Sequence, residues 1–568
     1  MSFLSGINKN CKIAVERLAA CRPMSVVLFS FALLLLYTVL AIAIDTVFFR
    51  DSSEYVALIE AFRVGAYDRA FPGHLPVLYT LFAGVVARLS PLSSVSSLIF
   101  VSGLASALSV FPLYGILKKF VSEKWAAWGC VMFVVYPRFV MNCVAPLIDS
   151  SKVLFGLLAL YLILSWDKKP HWSRIPILGV VYACLTLSRA EGIILVGIFM
   201  LVHLVRMLQL HSGDLRHGIA AIPAHMLLPL LVVLLLSAPR MMQMRTLTGY
   251  AALDSRQSNA VRSFAEKYLK TPPKPTPDKK AAAQTPKQNA AVQEPPQKTK
   301  IYSYETHGGT NAVMLNSHAL LFQDYSGFFV SLFYVYIPFT VLGMLLWLRS
   351  WKRHRDFLPL LLLFFLYNAF FFFLRMIKAR YLLLNIPILL PLTLTGIQVA
   401  WLWTQQHMRQ FCYIPAAIAV IILAVSSVHS LKSMVSTKHR CFKEIGRYLP
   451  DRSLRNPDAA YPVVLFVGND RGLGYYSDLN IVLYSKFGLE RLRSIDDVVS
   501  NGVDSRYVSY WHKRRDIPEK LYIDAVVVDN KPHRREISES DPLFDLPVTC
   551  GILKLYKVKS DINQESVR

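Results

Sequence analysis

Long apolar runs recur through the first three quarters of the chain, separated by short polar segments rich in Lys and Arg. An α-helix rises 1.5 Å per residue, so about 20 apolar residues cover a hydrocarbon core of roughly 30 Å. The first run, Met24 to Ile44, is of that length. Lys9, Lys12, Arg17 and Arg22 precede it and hold that end in the cytoplasm by the positive-inside bias. No small-residue cleavage site follows it, so it reads as a span and not as a removable leader. With 54% hydrophobic residues and a positive mean hydropathy, the composition excludes an ordinary soluble protein and predicts a polytopic membrane protein.

The stretch His74 to Leu89 is short, Pro-punctuated and only moderately apolar, and reads as a helix lying in the interface. The second span then runs from Ser93 to Leu117, ending at Lys118-Lys119, and the third from Trp125 to Tyr136. A second outer loop carries Pro137, Arg138, Asn142, Pro146 and Asp149. Further spans follow at Val153 to Trp166, up to Leu187, down to Arg206, Ile219 to Ala238, Phe328 to Leu348, Leu358 to Leu374, down to Trp403, and Tyr413 to Val428. The sequence thus predicts about 11 transmembrane helices. This count places the basic loops at Lys118, Lys168 to Arg174, Arg206 to His217 and Arg349 to Arg355 inside; a full span at 74–89 would put most of them outside.

The expected organisation is a cytoplasmic N-terminus (1–23), a mainly α membrane domain (24–430) and a small extracytoplasmic α/β domain (431–568). The membrane domain includes outer loops at 45–92 and 239–325; residues 271–300 of the latter are rich in Pro, Ala, Gln and Lys and cannot bury a core. The C-terminal part has strand-like runs at Val463 to Val467, Ile481 to Tyr484, Ile523 to Val528 and Gly551 to Val558. Its Gly468 to Gly474 segment lacks a Walker lysine and a full dinucleotide fingerprint, and reads as a tight turn. The net charge of +25 is explained by topology, since no basic-aromatic module for nucleic acid is present. Eight cysteines show no metal spacing; Cys441 and Cys550 fall in the polar region, where an extracytoplasmic location would permit a disulfide without requiring one.

Charges of both signs gather at the predicted outer face: Asp51, Glu54, Arg138, Asp149, Arg189, Glu191, Arg375, Lys378 and Arg380, with His74 and Tyr79 nearby. Helix capping accounts for each singly; Asp51 to Glu54, for instance, fits a capping box. As a set they are better explained by a shared cavity, because ionisable groups in a membrane domain are costly and face one another or water. Carboxylates there can take a proton from an attacking hydroxyl, and Arg or Lys can hold a phosphate as it departs.

Asp51-Ser-Ser-Glu-Tyr55, followed by Gly73-His74-Leu-Pro76-Val-Leu-Tyr79, resembles the first outer loop of GT-C glycosyltransferases. Among them the similarity is to bacterial protein O-mannosyltransferases and aminoarabinose lipid A transferases (a family 39-like group). Pro137 with Asp149, Ser188-Arg189-Ala-Glu191-Gly192, and Arg380-Tyr381 with Pro387 resemble later motifs in the same order. Leu75 stands where that family usually has proline, and Asp149 where many members have Glu; these departures leave the acceptor class open.

The resemblance implies a polyprenyl-phosphate sugar donor, an inverting transfer, and an acceptor that is lipid, glycan or protein. It implies Asp51 as general base, Asp149 as a positioning carboxylate, and Glu54 in a lesser version of that role. Arg189, Lys378 and Arg380 would hold the lipid phosphate, with Arg138 a further candidate; Tyr55, His74, Tyr79, Glu191 and Tyr381 complete the expected substrate-binding set. No cofactor is expected; a divalent ion on Asp51 and Asp149 is the less favoured alternative. The expected location is a bacterial inner membrane. The rival reading is a secondary transporter or flippase for a lipid-linked or anionic substrate, against which stand charges at outer ends and not at the midplane.

Overall fold

The computed structural model describes residues 22–44, 52–71, 75–166, 173–189, 191–211, 215–248, 250–253, 336–350, 357–373 and 382–407 of the helical part, and short stretches between 425 and 558. Asp51, Pro72 to His74, Lys378, Arg380, Tyr381, Cys441, the 271–300 segment, the 468–474 turn and nearly all of the expected last span lie outside the described residues.

The first span is α1 (Pro23–Ile44). The first outer loop then contains α2 (Ser52–Arg63), the short α3 (Tyr67–Ala70) and α4 (Val77–Leu89). On α4 the small or polar Thr80, Ala83, Gly84 and Ala87 face inward with Tyr79, while Leu81, Phe82, Val85 and Leu89 are exposed. Its 13 residues span about 20 Å, too short to cross the core and in keeping with an interfacial helix.

The second span is divided into α5 (Ser94–Leu108) and α6 (Val110–Leu117), with Pro112 in the first turn of α6. Proline offers no N–H to the carbonyl four residues back, which accounts for the break near Ser109. α7 (Glu123–Val134) leads to α8 (Pro137–Val144), a helix inside what the sequence presents as a loop. Pro137 pre-sets its first turn, and the burial of Phe139, Val140, Cys143 and Val144 on one face sustains it.

Four more helices follow: α9 (Asp149–Leu164), α10 (Arg174–Ser188), α11 (Gly192–Leu210) and the 34-residue α12 (Leu215–Thr248). The last continues ten residues beyond Ala238, so the start of the expected outer connection is helical. α13 (Ile337–Arg349), α14 (Phe357–Phe373) and α15 (Asn385–His407) complete the described bundle. Five helical segments are long and apolar enough to cross a membrane, among the described residues: Pro23–Ala43, Ser94–Leu117, Gly192–Leu210, Ile222–Leu247 and Asn385–His407.

Close crossings are made by small residues. A side chain on Gly343 of α13 would strike the Leu392 carbonyl of α15, and one on Gly396 of α15 would strike the Phe339 carbonyl. Thr340 and Thr393 hydrogen-bond across the same crossing at 2.7 Å. Within lipid, backbone proximity and interhelical hydrogen bonds supply the attraction that water supplies elsewhere. Asn368 of α14 and Asn385 of α15 exchange amide hydrogen bonds of 3.1 and 2.8 Å.

The C-terminal domain forms a six-stranded sheet in the order β4-β2-β1-β6-β8-β7, with strands β1 (Val463–Val467), β2 (Asn480–Leu483), β4 (Val508–Tyr510), β6 (Ala525–Asp529), β7 (Val548–Cys550) and β8 (Leu553–Lys557). β1 lies parallel to β2 and β6, and β8 runs antiparallel to β6 and β7. β3 (Val503–Asp504) and β5 (Lys520–Leu521) form a separate pair. Asp524 ties the central strands, its carboxylate accepting from the Val463 amide at 2.7 Å. The four strand-like runs in the sequence correspond to β1, β2, β6 and β8; the shorter strands have too few residues to show alternation.

Candidate active site

The connection between α8 and α9 is fastened by serine side chains from three elements. Ser150 Oγ donates to the Asn142 carbonyl at 3.0 Å, Ser52 Oγ of α2 to the Pro146 carbonyl at 3.1 Å, and Ser102 Oγ of α5 to the Leu147 carbonyl at 2.8 Å. Buried carbonyls need partners, and here the partners come from the first outer loop and the second span. The residue following Asp51 in the chain is therefore bonded to the connection that delivers Asp149. Glu54 lies two residues further along α2, and Arg138 in the first turn of α8.

Tyr79 and Tyr55 pack edge to face, with ring centres 5.3 Å apart. The Tyr79 hydroxyl is 2.8 Å from Ser102 Oγ and donates to the Leu98 carbonyl at 3.0 Å. Both rings are buried, joining α2 and α4 to α5.

Asp149 opens α9, where a carboxylate is favoured by the helix dipole. Opposite it is the turn between α10 and α11. Arg189 ends α10 in an extended conformation (φ −153°, ψ 149°) and Glu191 caps α11. Gly192 is required for the return: a Cβ there would run into the Leu185 carbonyl and Thr186. This is the physical basis of the Arg-x-Glu-Gly spacing. The arginine leaves one helix, the acid starts the next, and the glycine lets the two ends meet.

Arg189 Nη1 forms an ion pair with Asp149 Oδ1, and Arg189 Nε pairs with Glu191 Oε2 at 3.1 Å. Lys152 Nζ stands 3.9 Å from Asp149 Oδ1. Side-chain exposures are 2% for Asp149, 1% for Lys152, 11% for Arg189 and 10% for Glu191, so these are buried charges whose pairing matters. Burial alone would raise the Glu191 carboxyl, but the charge and hydrogen bond of Arg189 outweigh it and hold Glu191 down to about 2. Tyr367 of α14 lies within electrostatic reach of Asp149, Arg189 and Glu191, and Phe371 of the same helix lies 5.7 Å beneath the Lys152 ammonium.

The structure thus brings together Asp149, Arg189 and Glu191, with Tyr55 and Tyr79 in the scaffold beside them. It adds Lys152, Ser52, Ser102 and Ser150, which the sequence reading did not select. Lys152 looks like the edge of an apolar run, and lone serines in such runs carry no signal. Among the described residues no group of three or more His, Cys, Asp or Glu side chains is disposed to hold a metal ion.

Residues 74–243 match the family model for dolichyl-phosphate-mannose-protein mannosyltransferases. That region contains Asp149, Lys152, Arg189 and Glu191. The apo crystal structure of ArnT from Cupriavidus metallidurans superposes over 94% of this chain and 98% of its own, with a TM-score of 0.53 at 11% identity. The chain shares the fold of that membrane protein. The structure of the same ArnT bound to undecaprenyl phosphate covers the same shares, at TM-score 0.49 and 12% identity. The Archaeoglobus fulgidus oligosaccharyltransferase in complex with Zn and sulfate matches 88% of this chain and 68% of its own, at TM-score 0.48 and 13% identity. A comparison with curated protein sequences gives no match. In this fold, Asp149 and the Arg189–Glu191 turn are two connections at one end of the bundle, drawn together by a single guanidinium.

Proposed function

We propose that this protein transfers a sugar from a polyprenyl-phosphate donor to an acceptor hydroxyl or amine on the extracytoplasmic side of a bacterial inner membrane. The observation that carries the reading is the buried cluster of Asp149, Lys152, Arg189 and Glu191, set against the start of the first outer loop through Ser52. Structural ion pairs rarely gather two acids and two bases at the loop end of a membrane bundle, where desolvation is costly. The match of 74–243 to a dolichyl-phosphate-mannose-dependent family supports a lipid-phosphate donor.

In the reaction, the acceptor oxygen or nitrogen attacks the anomeric carbon from the face opposite the phosphate. Asp51 takes the acceptor's proton. The bond between the anomeric carbon and the phosphate oxygen breaks with its electron pair on that oxygen, and the anomeric centre inverts. Asp149 positions acceptor or sugar hydroxyls. Arg189, with Lys378 and Arg380, offsets the charge gathering on the leaving polyprenyl phosphate. A small apolar crevice, lined by Met132, Tyr136, Tyr336, Ile386, Leu389 and Thr393, opens between α7, α13 and α15 and offers a place where part of the lipid tail can lie.

Membranes containing the protein, supplied with a labelled polyprenyl-phosphate sugar, test this. Label should pass to a new acceptor and the Asp51→Asn variant should pass none while inserting normally. Movement of intact donor across the bilayer without transfer would establish the transporter reading instead.

A further inference from the structure

Lys152, like Glu191, is a charge in the cluster that the proposed chemistry does not use. It is 1% exposed and lies one turn beyond Asp149 on the same helix, with its ammonium 3.9 Å from Asp149 and 5.7 Å from the Phe371 ring centre. Arg189 meanwhile bridges Asp149 and Glu191 through Nη1 and Nε. In the proposed reaction the donor phosphate draws on that guanidinium, and any shift of Arg189 toward a phosphate weakens its hold on Asp149. A buried carboxylate left without a counter-charge is strongly unfavourable.

We propose that Lys152 is a positioning residue that takes over Asp149 when Arg189 turns to the phosphate of the donor. The inference rests on the lipid-phosphate reading above. Among the described residues, two carboxylates and two cations make up the cluster before the donor arrives. The second cation is what allows the first to be shared without abandoning an acid. The Phe371 face supports the ammonium in either arrangement.

The test is binding of a polyprenyl monophosphate to the purified full-length protein in detergent, with size-exclusion profiles confirming folding. Lys152→Met should weaken binding about tenfold, the worth of one charge-assisted hydrogen bond. Glu191→Gln, which releases Arg189 from one acid, should tighten it about threefold, and the Glu191→Gln/Lys152→Met pair, again balanced, should return to within about threefold of wild type. In turnover, Lys152→Met should act on the donor KM more than on kcat. Wild-type affinity in Lys152→Met, or a double variant no better than the single, overturns the proposal. If Lys152→Met does not fold, Glu191→Gln decides by itself: failure to tighten binding overturns the exchange. If the wild type binds no polyprenyl phosphate, the donor reading falls together with this inference; binding that is indifferent to Lys152 removes this inference alone.

Discussion

Arg189 is the residue on which the site depends most directly. It neutralises two carboxylates from different connections, so its loss leaves Asp149 and Glu191 with too little positive charge. Arg189→Ala should cost about 3–5 kcal/mol of stability, the range for breaking a buried pair, and should lower transfer at least a hundredfold in a labelled-donor assay. Arg189→Lys should recover only a fraction of that, because an ammonium cannot bridge two acids as a planar fork does. Glu191 gives a pH signature. Its folded-state pKa of about 2 lies below the 4.5 of an unperturbed glutamate, so its stabilisation is complete above pH 4.5 and disappears as the pH falls toward 2. The stability of wild type should therefore exceed that of Glu191→Gln by a constant margin at neutral pH, on the order of 3 kcal/mol, and the melting temperatures of the two should converge in acid; parallel curves down to pH 3 would refute the pairing. Of the cluster, Asp149, Arg189 and Glu191 are legible in the sequence because each is a charge at a loop end. Lys152 is not, because one turn into an apolar run a lysine reads as the margin of a span. The hydroxyls of Ser52, Ser102 and Ser150 become meaningful only when the carbonyls they satisfy are known.

Among the elements, the crossing of α13 and α15 is set by glycines that leave no room for a β-carbon. Gly343→Ala should force the helices apart and lower the melting temperature by an amount equivalent to about 1–3 kcal/mol, an overpacking cost, measurable in detergent. Leu389→Trp, on the partly exposed wall of the apolar crevice, should raise the donor KM while sparing the fold if the crevice holds the lipid tail. The outer end of α12 illustrates an element that the sequence misassigns to a loop. Arg240 follows a proline and reads as the start of the connection, yet the helix passes through it. Arg240 is 5% exposed, and its guanidinium donates to the carbonyls of Leu75 at 3.1 Å, Phe71 at 3.4 Å and Leu253 at 3.0 Å, while Gln243 also donates to Phe71 at 3.1 Å. These bonds fasten Phe71 and Leu75 to the seventh span. Helix propensity alone disfavours continuation past Pro239; the carbonyls waiting for Arg240 reverse that preference.

At the level of the whole molecule, orientation is the property most open to test. Single cysteines placed in the 168–174 loop should resist a membrane-impermeant thiol reagent in intact cells, and cysteines in 254–300 should react; the reverse pattern would invert the proposed topology. The membrane class, the approximate positions of the helices, the α/β character of the C-terminal domain and its four longer strands were all open to inspection in the sequence. They follow from local quantities: run length, charge in adjacent loops, and alternation along a strand. The partners of each charge were not, since Asp149 and Arg189 lie 40 residues apart and no local pattern states that their helices end side by side. Nor was the helical second outer connection, which is sustained by burial against α5 and not by propensity. Solvent and lipid act on each segment separately and so leave their mark in sequence, whereas which buried charges meet is decided only when the packed helices bring their ends to one place.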